Sequence, residues 1–278
     1  FNPYTRRTYR FEIFNRGDAP FEWRAATSND WIRLSNTSGT VSTQQALDVD
    51  IDWDRAPVGD RILGTIEITA GTRRETVFVS LFNPASPTPE TLQGLYVEDN
   101  GCVSIPAAGF HRKVENEQVR MTLIRNLGYE KEAVLIGDPL GRKQRTGGRN
   151  TPRLEYDFYS FSSGSVDVYT YMLPTFPLSA DQTFAHETSS TETKYGVAID
   201  EGPVMNPTTS SFEYAQAWYE NVLKNCAVKK TTLHIDRPGK HTVKILCGDP
   251  GLVIQKIVLD FGGMKRSYAG PPSTQSAQ

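Results

Sequence analysis

LEYDFYSFSSGSVDVYTYMLPTFPL, residues 154–178, alternates apolar and polar side chains over many positions until Pro174 and Pro177 interrupt the pattern. A period of two is typical of a β-strand that has one face on a core and the other face free, so this stretch predicts half-buried strand structure. The polar face is predicted to be rich in tyrosine, whose rings suit either a sandwich core or a sugar-stacking surface. These tyrosines are Tyr156, Tyr159, Tyr169 and Tyr171.

The chain has 278 residues, which is enough for two modest domains that each bury a core. Its 30 Lys and Arg residues nearly balance its 32 Asp and Glu residues, which argues against nucleic acid or an anionic membrane as a partner. No apolar run approaches the roughly 20 residues of a membrane span. The sequence begins at Phe1 without a leader, and we interpret it as a piece of a longer protein that is secreted, periplasmic or extracellular.

The three cysteines are far apart in the sequence and match neither a zinc spacing nor a disulfide framework. We expect Cys102, Cys226 and Cys247 to be buried free thiols, because a free cysteine behaves as a small apolar residue. A bridge between one pair is the alternative.

Three prolines within residues 83–89 predict a semi-rigid linker between two strand-rich regions. Seven short strand candidates before it predict an immunoglobulin-like sandwich that serves as a spacer. The region after it predicts a jelly roll with one short helix around residues 211–224. The predicted domains are an Ig-like sandwich at 1–83, a linker at 84–93, a jelly roll at 94–270 and a flexible tail at 271–278.

Several long motifs, in this order, carry a resemblance to a known family. They are LEYDFYSF (154–161), VYTYMLPTFPL (168–178), YGVAIDEGP (195–203), WYENVL (218–223), PGKHTVKI (238–245) and GDPGLVIQKIVLDFGG (248–263). Together they resemble the C-terminal part of glycoside hydrolase family 115. The stretch RFEIFNRGDAPFEWRAATSNDWIRLSNTSGTV (10–41) is similar to the segment that joins that family's catalytic part to its terminal β-sandwich.

The resemblance implies a parent enzyme that is an α-glucuronidase, which removes glucuronic or 4-O-methylglucuronic acid from xylan. It implies an active site in a (β/α)-barrel upstream of this sequence, so no family catalytic residue is assigned here. The expected function is therefore non-catalytic: binding or positioning a glucuronate-bearing polysaccharide such as glucuronoxylan. The alternative is a purely structural domain that docks on the catalytic domain of the parent or mediates a homodimer.

Two kinds of side chain are candidates for glycan binding. The loop DPLGRKQRTGGRNTPR (138–153) carries Arg149 and Arg153, whose guanidinium groups suit a uronate carboxylate, unless the loop is simply solvated or reaches the catalytic part. Aromatic residues near predicted loops are candidate sugar platforms, with a place in the core as the alternative for each. They are Tyr129, Tyr171, Phe176, Tyr195 and Trp218.

The terminal sandwich is also similar in layout to galactose-binding-like carbohydrate modules, which often hold a structural calcium ion. The matching positions are Glu98 in YVEDN and Asp260 in VLDFGG. Calcium takes six to eight oxygen ligands, so these two carboxylates would need backbone carbonyls beside them. The alternative is that both carboxylates end strands and accept hydrogen bonds from backbone amides.

Overall fold

The computed structural model of the chain describes residues 1–175, 192–210, 216–265 and 267–277. It forms two compact units, of which one is Phe1–Gly94 with Ser276 and Ala277, and the other is Leu95–Gln275. Within the described residues, no helix has the length and apolar character needed to cross a membrane.

The first unit is an Ig-like sandwich of two antiparallel sheets, as predicted. One sheet has the order β1-β5-β3 and the other the order β4-β2-β6-β7. The strands are β1 (Tyr9–Phe14), β2 (Phe21–Thr27), β3 (Ile32–Leu34), β4 (Ser38–Val41), β5 (Gln44–Ile51), β6 (Gly59–Ala70) and β7 (Arg73–Asn83). A two-residue turn joins β6 to β7, and Gly71 takes the positive φ of 59° that such turns require. A 3₁₀ turn follows at Pro89–Leu92.

Tryptophan side chains fill the core of this unit. Trp23 and Trp31 are 1% and 3% exposed, and Trp31 packs with Ile66 and Leu81. The indole N–H of Trp23 donates to Gln45 Oε1 over 2.9 Å, which satisfies the one polar atom of that ring.

The second unit is a jelly roll built from two six-stranded sheets. One sheet has the order β10-β13-β18-β15-β16 with β8 beside β13, and the other has the order β11-β12-β19-β14-β17 with β9 beside β19. The first group of strands is β8 (Tyr96–Val97), β9 (Cys102–Pro106), β10 (Arg112–Val114), β11 (Met121–Arg125), β12 (Glu132–Ile136) and β13 (Arg153–Ser160). The remaining elements are β14 (Gly164–Met172), β15 (Glu192–Ile199), β16 (Thr208–Ser210), α1 (Gln216–Leu223), β17 (Ala227–Ile235), β18 (Gly239–Cys247) and β19 (Leu252–Asp260).

The alternation of residues 154–178 produces strands β13 and β14. Tyr156 and Phe158 are fully buried in the core between the sheets, whereas Glu155 and Asp157 alternate with them on the other face. Tyr156 therefore belongs to the core and not to the polar face, and its hydroxyl donates to the carbonyl of Ala107 over 2.9 Å. The three cysteines are buried and free, as expected.

Residues 271–274 of the predicted tail at 271–278 pack against the second unit, and the flexibility of the tail stays a prediction. Thr274 is 1% exposed, and its amide donates to the carbonyl of Ser104 over 2.9 Å. The Ser104 hydroxyl donates to the carbonyl of Pro271 over 2.8 Å. A polar composition did not prevent packing, because these polar atoms pair with an open strand edge that lies 170 residues earlier in the chain.

Candidate functional site

Two of the predicted sugar platforms are buried. Tyr195 lies opposite Cys247 in the β15–β18 pair and is 0% exposed, and Tyr171 is 5% exposed beside Cys226. A ring must present a free face to stack on a sugar, so Tyr171 and Tyr195 do not act as platforms in this structure. Phe176 lies outside the described residues.

The predicted basic residues lie at the start of β13 and in the loop before it. Arg149 is exposed in the loop before β13, and Arg153 is the first residue of that strand. The Arg153 guanidinium donates to Glu155 Oε1 over 2.6 Å and to the carbonyl of Arg149 over 3.1 Å. Its charge is therefore already paired with a carboxylate of the protein.

A charged network, which sequence reasoning missed, continues from Arg153 along the outer face of the sheet that contains β13. Arg112 donates to Glu155 Oε2 and to both carboxylate oxygens of Asp157, each over 2.7 Å. The Thr242 hydroxyl also donates to Asp157, and the hydrogen bonds from Arg112 lower the pKa of Asp157 to about 2. The β10–β13 and β13–β18 registers place these residues side by side. Because Arg112 and Arg153 each face a carboxylate, a uronate bound by either guanidinium group would have to compete with that carboxylate.

Of the remaining predicted aromatics, Trp218 lies on helix α1, and Tyr129 lies in the turn between β11 and β12, where it meets Tyr268 at the carbonyl of Lys224. The hydroxyls of Tyr129 and Tyr268 both donate to this carbonyl, over 2.7 and 2.6 Å. Their ring centroids are 5.3 Å apart with an edge-to-face angle of 66°. Tyr129 is partly buried, whereas Tyr268 is 62% exposed.

The end of helix α1 explains why this carbonyl is available. Asn225 adopts a left-handed φ of 49°, and its amide donates to the carbonyl of Val222. The amide of Cys226 donates to the carbonyl of Asn221 over 3.0 Å. This pattern is a Schellman cap, which turns the chain sharply at Asn225. The two tyrosine hydroxyls accordingly pair with the carbonyl of Lys224, one of the last in the helix.

Helix α1, which ends next to this carbonyl, carries further rings and apolar side chains that are partly or largely exposed. No described residue of α1 is buried, and Trp218 is partly exposed. Tyr219 is 55% exposed and Leu223 is 83% exposed. We use the name aromatic platform for Tyr129 and Tyr268 at the end of α1 together with Trp218 and Tyr219 on the helix.

Sequence reasoning found two members of the platform and missed two. Tyr129 and Trp218 were candidates because they flank predicted loops. Tyr268 lies within KRSYAGPP, where no strand or helix period indicates its surroundings, and Tyr219 follows Trp218 on the predicted helix. The helix-stop residue Asn225 was the available signal that a cap lies here.

The two carboxylates predicted to bind calcium accept hydrogen bonds from nearby loops. Glu98 accepts from the amides of Phe161 and Ser162, each over 2.8 Å, and from the Ser162 hydroxyl. Asp260 Oδ1 accepts from the amides of Gly262 and Met264. Among the described residues, no group of three or more His, Cys, Asp or Glu side chains is arranged for a metal ion. The donor set therefore does not by itself fit calcium, and calcium stays a prediction.

Comparisons with known proteins identify relatives of the second unit. Residues 95–273 match the family described as Glycosyl hydrolase family 115 C-terminal domain. No curated protein matches the chain.

Similar solved structures include a family 115 4-O-methyl-α-glucuronidase with specificity for decorated arabinogalactans, at 20% identity and a TM-score of 0.44, over 64% of this chain and 19% of that one. Another is a Podospora anserina β-(1,4)-mannanase with a family 35 carbohydrate-binding module, at 10% identity and a TM-score of 0.36, over 58% and 28% of the two chains. A third is the C-terminal family 6 carbohydrate-binding module of a Zobellia galactanivorans laminarinase, at 12% identity and a TM-score of 0.32, over 57% of this chain and 98% of that one.

Proposed function

The chain belongs to glycosyl hydrolase family 115, as its C-terminal domain, and from this premise we propose that it is the non-catalytic, glycan-binding part of a secreted α-glucuronidase. The ligand that we propose is a glucuronate-bearing polysaccharide such as glucuronoxylan. The aromatic platform is the proposed binding surface.

The exposed rings of the platform are the observation that supports this proposal. A ring on a sugar face contributes about 1 kcal/mol beyond the burial of area. A carbohydrate module with millimolar affinity needs roughly 4 kcal/mol in total, so two or three rings with their buried area suffice. Tyr129 and Tyr268 are held in a defined orientation by their shared acceptor, which lowers the entropy lost on binding.

The charged network supports the non-catalytic part of the proposal. A glycosidase needs one carboxyl group with a raised pKa that donates a proton to the leaving group. The pKa of Asp157 is instead lowered to about 2 by Arg112, and Glu155 forms ion pairs with Arg112 and Arg153. Asp157 and Glu155 are therefore poor candidates for that acid.

Titration calorimetry with glucuronoxylan oligosaccharides tests the proposal, with decorated arabinogalactan as a second probe. Tyr268→Ala and Tyr219→Ala are each expected to weaken binding about fivefold, the equivalent of about 1 kcal/mol. Phe78→Ala is the matched control, because it removes a ring that is 78% exposed on the first unit. No heat with either glycan at millimolar concentration, or equal losses in all three variants, would contradict the proposed site.

One observation favours a second function, in which the domain docks on the catalytic domain or on a second copy. Helix α1 exposes Val222 and Leu223 as well as its rings, and an eight-residue helix gains most of its stability from packing. Under this alternative, Leu223→Asp would change the oligomeric state or the binding to a separately added catalytic domain. It would leave glycan titrations unchanged.

A further inference from the structure

A segment of irregular chain lies across the outer face of the sheet that contains β19. This covering segment runs from Met264 to Gln275, of which all residues but 266 are described. At one end, Met264 packs on the cluster of Tyr171, Cys226 and Val258. At the other end, Thr274 pairs with Ser104 of strand β9. The segment therefore covers a surface that would otherwise expose a ring and a thiol.

A buried lysine holds the middle of the covering segment. Lys256 is 2% exposed, and its ammonium donates to the carbonyls of Ala269 and Pro271, each over 3.0 Å. It also forms an ion pair with Glu130. An ammonium group has three hydrogens, so these three acceptors satisfy it fully, which a charge in this position requires.

The partners of Lys256 are the chain neighbours of two platform residues. Glu130 follows Tyr129 in the turn between β11 and β12, and Ala269 follows Tyr268 in the covering segment. One ammonium therefore ties together two segments that are 139 positions apart, at the point where their tyrosine hydroxyls meet on the carbonyl of Lys224. Neither segment belongs to a regular strand at this point, so the strand ladder does not fix their separation.

We propose that Lys256 is a positioning residue, which clamps the covering segment onto β19 and thereby assembles the aromatic platform. The clamp is independent of any sugar, whereas its consequence for glycan affinity rests on the proposed function. A buried ammonium with one acceptor for each hydrogen favours this arrangement of the segment, because an arrangement that removes an acceptor leaves the buried charge unsatisfied. An apolar residue would not impose that penalty.

The native cysteines supply an assay for the clamp. Cys226 lies under Met264, and its burial raises the pKa of its thiol and lowers its reactivity. Cys247 lies in the core between the sheets, away from the covering segment, and serves as an internal control. Peptide mass spectrometry after timed labelling with a thiol reagent follows each cysteine separately.

Lys256→Met is expected to speed the labelling of Cys226 roughly tenfold, the factor associated with losing a charge-assisted hydrogen bond, while Cys247 labels at the wild-type rate. The charge of Lys256 lowers the pKa of the Cys226 thiol, so loss of that charge would by itself slow labelling, and an increase reports exposure of the thiol. Glu130→Gln is the milder second variant, and a smaller increase at Cys226 alone is expected. The stability control is Val166→Ala, a core substitution that is expected to leave the ratio of the two rates unchanged.

Unchanged labelling of Cys226 in Lys256→Met would overturn the proposal. If that variant unfolds and all thiols react together, Glu130→Gln decides: selective labelling of Cys226 supports the clamp, and wild-type labelling refutes it.

Glucuronoxylan titration of the same variants adds the functional readout. Loss of affinity in Glu130→Gln, with none in Val166→Ala, supports positioning of the platform, whereas equal loss in both variants refutes it. If the wild-type protein binds no glycan, the proposed function is wrong. The labelling rates of Cys226 still test whether Lys256 holds the covering segment in place.

Discussion

Replacing Arg112 by Met is expected to destabilise the second unit strongly at neutral pH and weakly in acid. Arg112 donates three hydrogen bonds of 2.7 Å to Glu155 and Asp157, whose side chains are each 10% exposed. Met keeps the apolar stem of the side chain but leaves the two carboxylates without their main partner. Carboxylates that have so little water around them lose stability when they lose a counter-charge.

The pKa of Asp157 sets the size of the effect. Its value of about 2, against an ordinary 3.8, corresponds to roughly 2 kcal/mol of stability at pH 7. Because the folded-state pKa is the lower one, this stabilisation is complete above the ordinary pKa and is lost as the pH falls through the folded value. At pH 3, the same relation between pKa and stability leaves about 1 kcal/mol of the stabilisation from Asp157. The loss in Arg112→Met is therefore expected to be about 2–3 kcal/mol at pH 7 and about half of that at pH 3.

Amide hydrogen exchange in graded urea, followed in peptides from β13 and β18, reports the unfolding free energy of the second unit without interference from the first. Lys230→Met is the matched control, because its ion pair with Asp167 is more exposed and is expected to contribute under about 1 kcal/mol. A destabilisation by Arg112→Met that is the same at pH 7 and pH 3 would refute the electrostatic reasoning. So would a loss no larger than that of Lys230→Met.

Three further predictions concern local geometry in the second unit. Gly270→Ala is expected to lower stability in urea titrations by about 1–3 kcal/mol, because Gly270 has a φ of 71° and a Cβ there would lie 2.9 Å from the Tyr171 hydroxyl oxygen. Asn225→Gly is expected to be nearly neutral and Asn225→Ala to cost about 1 kcal/mol, since the φ of 49° favours glycine; equal effects would contradict the cap. If calcium binds at Glu98 and Asp260, a chelator will lower the Tm of the wild type but not of Asp260→Asn, and an unchanged wild-type Tm contradicts the calcium prediction.

Local sequence was sufficient for the strands and for the class of fold. The period of two in LEYDFYSF placed β13, and the short helix was expected where α1 lies. The free, buried cysteines also followed from their number and spacing. These features are predictable because strand and helix periods depend on residues a few positions apart.

Exposure of individual side chains was not predictable in the same way. Tyr171 faces away from the core between the sheets, as an alternating strand predicts. It is nevertheless buried, because the covering segment, about a hundred residues later in the chain, places Gly270 against its hydroxyl. The guanidinium group of Arg153 could bind a uronate carboxylate. The pairing of β13 with β10, however, brings Arg112 close to it, and both arginines form ion pairs with Glu155.

The sequence by itself determined the strand periods, the two β-sandwiches and the family. The tertiary structure alone decided which aromatic rings face solvent, which cations are already paired, and that Lys256 holds together chain segments around Glu130 and Ala269. The physical reason is range: a period is a property of neighbouring residues, whereas burial and ion pairing depend on segments that meet only after the chain has folded.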